Sequence, residues 1–481
     1  MNIAEALSGS GGLEGIQQML LSGSPHAALR RALGALLTAP NILGPCHLRR
    51  ARLKPGRKLI AYYDAHVQIE GDSRHSIRPV FVTWGTHRDG NRSHTPADLT
   101  AIEDEAAGRG LLAPFRKLVA DTAEFRMHVR VSPLDGRFPQ LVRVCDPQYV
   151  REMVAAAYAA SEAAPDHAPA GHYSITFIRY RPGKRHVLRY DPLDEPECRA
   201  IFAKLYYTKE EGERVFSLAK HIREWLAEHG EGVTSVWPLG YVADDAIALY
   251  SQVLGTPLSE QLQDPGQGLT SVLKFAGRAL CALHQLPREI AGPLDLHDFA
   301  AEVEEIARTS EHVGALLPRV GAALKALLER ARELYERLPL EPPAFAHGDF
   351  KGDHVWITPG GLTLIDFDSC HVGDPALDVG KFLADLRFWY AVFNLPGLEQ
   401  AQEGFLDGYA PGAPPERLIR ARLYEAVELV KETVRRVCMF EQDWTRRTEL
   451  LIGLVEAVLN DFQLSLGLPR EVRKAVKHER S

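Results

Sequence analysis

Cysteine is scarce and scattered in this chain. The six cysteines, Cys46, Cys145, Cys198, Cys281, Cys370 and Cys438, form no CxxC pair. That excludes a zinc-ribbon framework and a disulfide scaffold, and fits small packing residues in a reducing cytoplasm. Long hydrophobic runs are missing as well: no apolar stretch approaches the roughly 18 residues of a membrane span. Met1 to Gly12 carries neither a basic nor an apolar leader region, so no secretory signal is expected. Neither charge is in large surplus: 56 basic against 63 acidic residues give a formal −7 over 481 residues. Nucleic acid and anionic membrane therefore have no electrostatic case as main partners.

What is present is a globular balance, 45% apolar and 25% charged, with length for about three domains of roughly 150 residues. A first helix is expected from Ser24, capped by its hydroxyl, with Pro25 in the first turn and Ala28, Leu29, Ala32 and Leu36 on one face. Strands are expected at Leu59 to Tyr63, Pro79 to Trp84 and Leu141 to Val144, with helix near 97 to 120. Ala155 to Ala170, Ala-rich with two prolines, reads as a helix tail and a linker. Beyond it come strands at Tyr173 to Tyr180, His186 to Tyr190 and Ala200 to Tyr207, then an amphipathic helix through Val215, Leu218, Ile222 and Leu226. Two more strands, Val233 to Leu239 and Ala246 to Gln252, precede a mainly helical remainder, broken by short apolar runs at Val355 to Ile357 and Leu362 to Phe367. This is an α+β order with two lobes. The expected units are 1–160, 171–255 and 256–481.

Lys54-Pro-Gly-Arg-Lys to Asp64 resembles Arg181-Pro-Gly-Lys-Arg to Asp191, each a strand, a basic Pro-Gly turn and a strand. With Phe81 paired to Phe202, Thr83 falls where Lys204 stands. The alternative is two unrelated hairpins. Residues 1–160 are thus open to three readings: a degenerate second small lobe, a substrate cap or an oligomerisation domain. Oligomeric state is not legible.

The chemistry concentrates in His347-Gly-Asp-Phe-Lys-Gly-Asp-His354, Leu364-Ile-Asp-Phe-Asp368 and Gly373-Asp-Pro-Ala-Leu-Asp378. Asp349 follows His-Gly, His354 stands five residues on, and Asp366 ends an apolar run. Phosphoryl transfer needs such parts: a carboxylate for the hydroxyl proton and groups that hold magnesium against a triphosphate. The ordered set resembles the aminoglycoside phosphotransferase family, which has the bilobal protein-kinase-like fold; here an extra N-terminal α/β domain precedes it. The resemblance covers roughly 171 to 460, judged by motif order.

The resemblance implies an ATP- and magnesium-dependent O-phosphotransferase acting on a hydroxyl of a small molecule. It makes Asp349 the catalytic base and Lys351 a neutraliser of the transferring group. Asp366 and His354 become the metal ligands. Histidine at the second metal position is similar to macrolide phosphotransferases, and is a softer magnesium ligand than asparagine. Lys204 would hold the α and β phosphates; otherwise it is a snorkelling edge lysine. Its carboxylate partner is expected to be Glu211, on the apolar side of its helix, unless Glu211 serves a capping box with Thr208. Gln252 to Leu254 resemble the hinge whose backbone meets adenine. Lys184 and Arg185 either touch phosphate or form a solvated turn.

Structural readings stand beside these. Asp374-Pro375 reads as a helix cap, His347 as a buried structural histidine, and Asp368 as either a group behind the metal ligands or a solvated carboxylate. Glu425, Glu428, Glu432 and Glu441 could meet a cationic substrate, but their helical spacing among Arg and Lys reads as a solvated face. Phe-Asp rather than Phe-Gly follows Asp366, no Ala-Pro-Glu follows, and Gly373-Asp-Pro comes within a few residues, leaving no room for an extended activation loop. That favours small substrates over protein side chains. The other class of reading is a non-catalytic kinase-like module binding nucleotide or a partner; intact Asp349, Asp366 and Lys204 speak against it.

Overall fold

The computed structural model describes residues 3–70, 75–85, 96–161, 167, 169, 171–266 and 268–468. Three short helical segments open the chain: α1 (Ile3–Ser8), α2 (Gly12–Gln17) and a π-helical turn, Gln18–Ser22, leading into α3 (Ser24–Leu36). The cap of α3 is Gly23 in extended conformation, not Ser24, which sits inside the first turn. Around α3 lies an antiparallel sheet of β1 (Ile42–Lys54), β2 (Lys58–Gln68), β3 (His75–Gly85), β4 (Val119–Thr122) and β5 (Met127–Val131), in the order β1-β2-β3-β5-β4. Helix α4 (Pro96–Gly108) connects β3 to β4. Alternation in β3 buries Val80, Val82 and Trp84 against this unit's core.

The expected strand at Leu141 to Val144 is instead a pair of 3₁₀ turns, Pro139–Leu141 and Arg143–Cys145. Pro139 lacks the donor a ladder needs, and the N–H groups close locally, Leu141 on Phe138 O and Cys145 on Val142 O. Helix α5 (Pro147–Ala160), capped by Asp146, packs Val150, Met153 and Val154 against the next sheet rather than the first. Each such burial stabilises by about 1.5–3 kcal/mol. The linker expected to follow lies largely outside the described residues.

The second sheet comprises β6 (Tyr173–Arg181), β7 (Arg185–Pro192), β8 (Ile201–Leu205), β10 (Pro238–Val242) and β11 (Ile247–Ser251), with α6 (Lys209–His229) between β8 and β9 (Val233–Ser235). Its order, β6-β7-β8-β11-β10, reproduces that of the first sheet. The details match too. Both first hairpins turn on a left-handed glycine, Gly56 (φ 69°) and Gly183 (φ 72°). Both last hairpins turn through a 3₁₀ segment ending in a left-handed residue, Arg126 (φ 44°) and Ala246 (φ 51°). In register, Ile60, Thr83 and His128 lie opposite one another across β2, β3 and β5. Val187, Lys204 and Ala248 do the same across β7, β8 and β11. Ile60 and Val187 each stand four residues past those glycines, so Thr83 holds the position of Lys204.

The single strand expected over Val233 to Leu239 is split, since Pro238 starts a new element. Its first part, β9, leaves the small sheet and pairs in parallel with a strand of the large lobe. That lobe contains β12 (Thr256–Pro257), α7 (Leu258–Gln263), α8 (Leu269–His284), α9 (Arg288–Ala291), β13 (Leu296–His297), α10 (Phe299–Leu316) and α11 (Pro318–Tyr335). It continues through β14 (Ala344–Ala346), β15 (Val355–Thr358), β16 (Gly361–Leu364), β17 (His371–Gly373), α12 (Ala376–Val392), α13 (Leu398–Tyr409), α14 (Pro415–Arg436) and α15 (Trp444–Ser465). The architecture is α+β and bilobal, the protein-kinase-like arrangement, with an α/β domain ahead of it. Among the described residues no helix is long and apolar enough to cross a membrane.

Candidate active site

The loop from β14 to β15 carries His347 to His354, and the β15–β16 hairpin returns the chain so that Asp366 faces it. Asp378, buried in the first turn of α12, ties the loop down. Its carboxylate accepts from the backbone N–H groups of His347 (2.6 Å) and Gly348 (2.8 Å), and lies 3.0 Å from His284 Nε2. His347 is fully buried and bridges the two strands, donating from Nε2 to Ile365 O (3.2 Å). It is structural, as its apolar surroundings imply.

Three groups converge. Ligand atoms of Asp349, His354 and Asp366 lie within 4.8 Å of one another. His354 Nδ1 donates to Asp349 O (2.8 Å), which leaves the Nε2 lone pair 3.5 Å from Asp366 Oδ2. Burial, with Lys351 nearby, lowers the His354 pKa to about 4, so the ring is neutral. Asp366 adopts a left-handed conformation (φ 64°) that non-glycine residues rarely take, held by ion pairs. Against the upward pull of burial, Lys204, His354 and Arg185 hold its carboxyl far below the usual range. A half-buried carboxylate and a buried imidazole presenting its lone pair form a donor set that fits a divalent cation.

Lys351 Nζ lies 2.9 Å from Asp349 Oδ2. Asp349 Oδ1 is inaccessible to water and accepts no hydrogen bond, although Lys381 Nζ lies 3.2 Å away as an ion pair. Against burial, Lys381, Lys351 and His354 keep the Asp349 carboxyl well below its ordinary pKa.

On the opposite wall, Lys204 lies on β8, a central strand rather than an edge, with its side chain 13% exposed. Its ammonium is 2.7 Å from Asp366 Oδ1 and 2.7 Å from Asp368 Oδ1. Asp368 also pairs with Arg185 (2.7 Å) and accepts from Tyr206 Oη (3.1 Å), so it is not a solvated carboxylate. Glu211 is not the partner of Lys204. It is exposed in the first turn of α6, where its N–H donates to Thr208 Oγ1 (3.1 Å), and its carboxylate feels Arg185. Helical spacing from Val215 does not bury it, because the first turn of α6 projects past the core.

A cavity of about 500 Å³ runs between the lobes, lined by Val187, Phe202, Tyr250, Gln252 and Val253 at one end and by Lys351, His354 and Asp366 at the other. Gln252 belongs to it, but its N–H and side chain are engaged with Ala200 (2.9 and 3.1 Å). Leu254 is 48% exposed and is not among the lining residues.

Sequence reading missed Lys381. It is fully buried and lies 2.8 Å from Glu428 and 3.2 Å from Glu432 as well as beside Asp349. The signal was present: Asp378, Lys381 and Asp385 interrupt the apolar first three turns of α12 at one-turn spacing. Asp385 in turn accepts from Gly352 N (2.7 Å) and pairs with Arg436 (2.7 Å). The glutamates of α14 are not a solvated face. Glu425 is buried between Arg387 (2.7 Å) and Arg422 (2.9 Å), and Glu428 and Glu432 enclose Lys381. Asp374 does accept from Ala376 N (3.0 Å), and it also anchors the buried Arg420 (2.8 Å).

Residues 177–418, about half the chain, match the model of the phosphotransferase enzyme family, and the chain belongs to that family. Among solved structures it is similar to a choline/ethanolamine kinase family protein from Mesorhizobium loti, at 17% identity over 66% of this chain and 97% of that one, with a TM-score of 0.42. Plasmodium vivax ethanolamine kinase matches at 13% identity over 59% and 82%, TM-score 0.40. A macrolide 2'-phosphotransferase from Brachybacterium faecium matches at 16% over 62% and 94%, TM-score 0.37. Among curated proteins none matches.

Proposed function

We propose that this protein is an ATP- and magnesium-dependent O-phosphotransferase whose acceptor is a hydroxyl of a small molecule. The observation that carries this is the convergence of Asp349, His354 and Asp366, with ligand atoms within 4.8 Å of one another, about an Asp349 carboxylate that Lys381 and Lys351 keep ionised. An acceptor hydroxyl donates to the Asp349 carboxylate, which aligns the hydroxyl's lone pair on the γ-phosphorus and takes the proton as the new P–O bond forms and ADP leaves. Lys351 offsets charge on the transferring group. Magnesium, held by Asp366 and His354, would supply positive charge against the phosphates. Lys204 orients both Asp366 and Asp368, and in the loaded enzyme its ammonium meets the α and β phosphates. The backbone near Gln252 and Val253 receives adenine.

The units follow as 1–160, 171–255 and 256–481, with α5 strapping the first to the second. The first is a second copy of the small lobe in which Thr83 has replaced the phosphate-binding lysine, so it binds no ATP. Six free cysteines fit a cytoplasmic location.

The test is magnesium-dependent ATP consumption against a panel of hydroxylated small molecules, with Asp349→Asn beside the wild type. Turnover of one compound, lost in the variant while MgATP still binds, is expected. MgATP binding with no turnover of any hydroxylated compound would return the binding-module reading.

A further inference from the structure

A second group of metal-ligating side chains lies at the end of the small lobe where β7 finishes and β6 begins. His167 Nε2 stands 2.7 Å from Glu195 Oε2 and 3.6 Å from Cys198 Sγ, and that sulfur stands 3.4 Å from the same carboxylate oxygen. One imidazole, one carboxylate and one thiol each bring a donor atom to the cluster. None of the three lines the interlobe cavity, and phosphotransfer uses none of them.

The backbone builds this arrangement. Glu195-Pro-Glu-Cys198 is a β-turn with proline at its second position, closed by the Cys198 N–H on Glu195 O (3.0 Å). Such a turn sets its first and fourth residues side by side, so Glu195 and Cys198 face the same ligand. His167 comes from a segment 28 residues earlier. Three hydrogen bonds tie the two segments together. Tyr173, buried at the start of β6, donates from Oη to Pro169 O (2.8 Å), two residues past His167. The His172 N–H donates to Asp194 Oδ2 (2.7 Å), and the Leu193 N–H donates to His172 O (2.9 Å). Burial, with Tyr158, Glu195 and Cys198 nearby, pushes the Tyr173 hydroxyl up to about 12, so the clamp stays protonated beside the cluster.

Distances decide the ion. Zinc takes imidazole nitrogen and carboxylate oxygen at about 2.0 Å and thiolate sulfur at about 2.3 Å. In a tetrahedron those lengths give edges of roughly 3.5 Å from sulfur to nitrogen or oxygen, and roughly 3.3 Å from nitrogen to oxygen. The two sulfur edges here, 3.6 and 3.4 Å, already match. The third is a hydrogen bond of 2.7 Å, which opens by about 0.6 Å when the ion replaces its proton. Thiolate and imidazole select zinc over magnesium or calcium, which prefer oxygen. The His167 side chain is 71% exposed, so an ion has a path in and water reaches the fourth position.

We propose that His167, Glu195 and Cys198 bind one zinc ion, with water as its fourth ligand. Binding sends the Cys198 thiol proton to solvent, and the thiolate takes its place on the metal. The ion pins the chain entering β6 to the connection between β7 and β8. Cys198 lies two residues before Ala200, whose N–H donates to Gln252 Oε1 (3.1 Å) and whose carbonyl accepts from the Gln252 N–H (2.9 Å). Gln252 lines the interlobe cavity, so the pinned connection abuts the hinge between the lobes.

The experiment strips the full chain with a chelator and titrates it with zinc in excess magnesium, against a chromophoric competitor. Cobalt(II) is the spectroscopic probe. One zinc per chain is expected, and cobalt should give the visible bands of a tetrahedral site with a thiolate-to-metal charge-transfer band. Cys198→Ser should abolish that band and weaken zinc at least 100-fold. His167→Ala should weaken zinc at least tenfold and keep the metal-free Tm, because the ring is mostly in solvent. His354→Ala should bind this zinc unchanged, which separates the site from the catalytic cluster. Zinc should also slow alkylation of Cys198 at least tenfold, read by mass spectrometry with the other cysteines as reference. No zinc binding, unchanged affinity in Cys198→Ser, a cobalt complex without the charge-transfer band, or loss of the ion in His354→Ala would each overturn the proposal.

Discussion

The ammonium of Lys381 stands 3.2 Å from Oδ1 of Asp349, buried beneath the loop that carries that carboxylate. Two glutamates from α14 hold the lysine from behind, so α12 and α14 together set the position and charge of Asp349. Replacing Lys381 by Met should lower kcat at least tenfold with a smaller change in nucleotide KM. It should also destabilise the fold by roughly 3 kcal/mol, because buried Glu428 and Glu432 lose their shared cation and keep only Lys431 (3.8 Å) and Arg436. Adding Glu428→Gln and Glu432→Gln should recover much of the stability without recovering kcat. Urea unfolding and steady-state kinetics on the same preparations separate the two effects.

Lys204 is the link between Asp366, Asp368 and the small lobe. Its replacement by Ala removes charge-assisted bonds worth about 1.5–3 kcal/mol each. MgATP affinity should fall roughly 10- to 100-fold, measured by calorimetry, and Tm should fall as well, because Asp366 loses its 2.7 Å partner while Asp368 keeps Arg185. Thr83→Lys in the first sheet should not create a second nucleotide site, and binding stoichiometry reports that directly.

His354 turns a neutral imidazole toward Asp366, with Nε2 3.5 Å from Oδ2. His354→Asn supplies a harder oxygen ligand and should keep magnesium-dependent turnover. His354→Ala should raise the magnesium concentration for half-maximal rate by roughly tenfold or more. A magnesium titration of all three proteins decides it; equal behaviour of Ala and wild type would remove His354 from the metal set.

His312 packs beside Trp444 with its rings 6.3 Å apart, and burial, with Arg52 nearby, brings it down to about 4. The unfolded chain takes up the proton near pH 6.5 and the folded chain only near pH 4. Stability is therefore full above pH 6.5 and falls as pH drops from there through 4, by roughly 3 kcal/mol. His312→Gln should flatten that part of the urea-midpoint profile by one proton.

Two glycines should respond with opposite signs. A Cβ on Gly380 would meet Ala421 O at 2.6 Å and Glu425 N at 2.8 Å, where α12 crosses α14. Gly380→Ala should cost roughly 1–3 kcal/mol and disturb Lys381 next to it. A Cβ on Gly34, on the exposed side of α3, meets nothing within 4 Å. Gly34→Ala should stabilise by roughly 0.5–1 kcal/mol. Thermal melts of both variants give the comparison.

Much of the site was legible because its parts are local in the chain. Asp349, Lys351 and His354 share one loop, a hairpin brings Asp366 to it, and Pro-Gly turns announce the two hairpins. Residue order alone carries such signals, since backbone geometry over a few residues is set by glycine, proline and strand alternation. The partner of Lys204 was misread as Glu211 for the complementary reason. Asp366 and Asp368 lie 162 residues from the lysine side chain they meet, or from the tyrosine beside it.

Sequence by itself therefore determined the α+β class, the two Pro-Gly hairpins and the grouping of Asp349, Lys351 and His354 in one loop, because these rest on spacing within a few turns of chain. Only the tertiary structure decided which charges face which. Glu428 and Glu432 repeat at a spacing that reads as a solvated face, and Lys381 meets them 47 and 51 residues away in the chain. Burial of a charge depends on whether a distant segment brings its opposite within about 3 Å. For Lys381 two distant segments do. That meeting is written only in three dimensions.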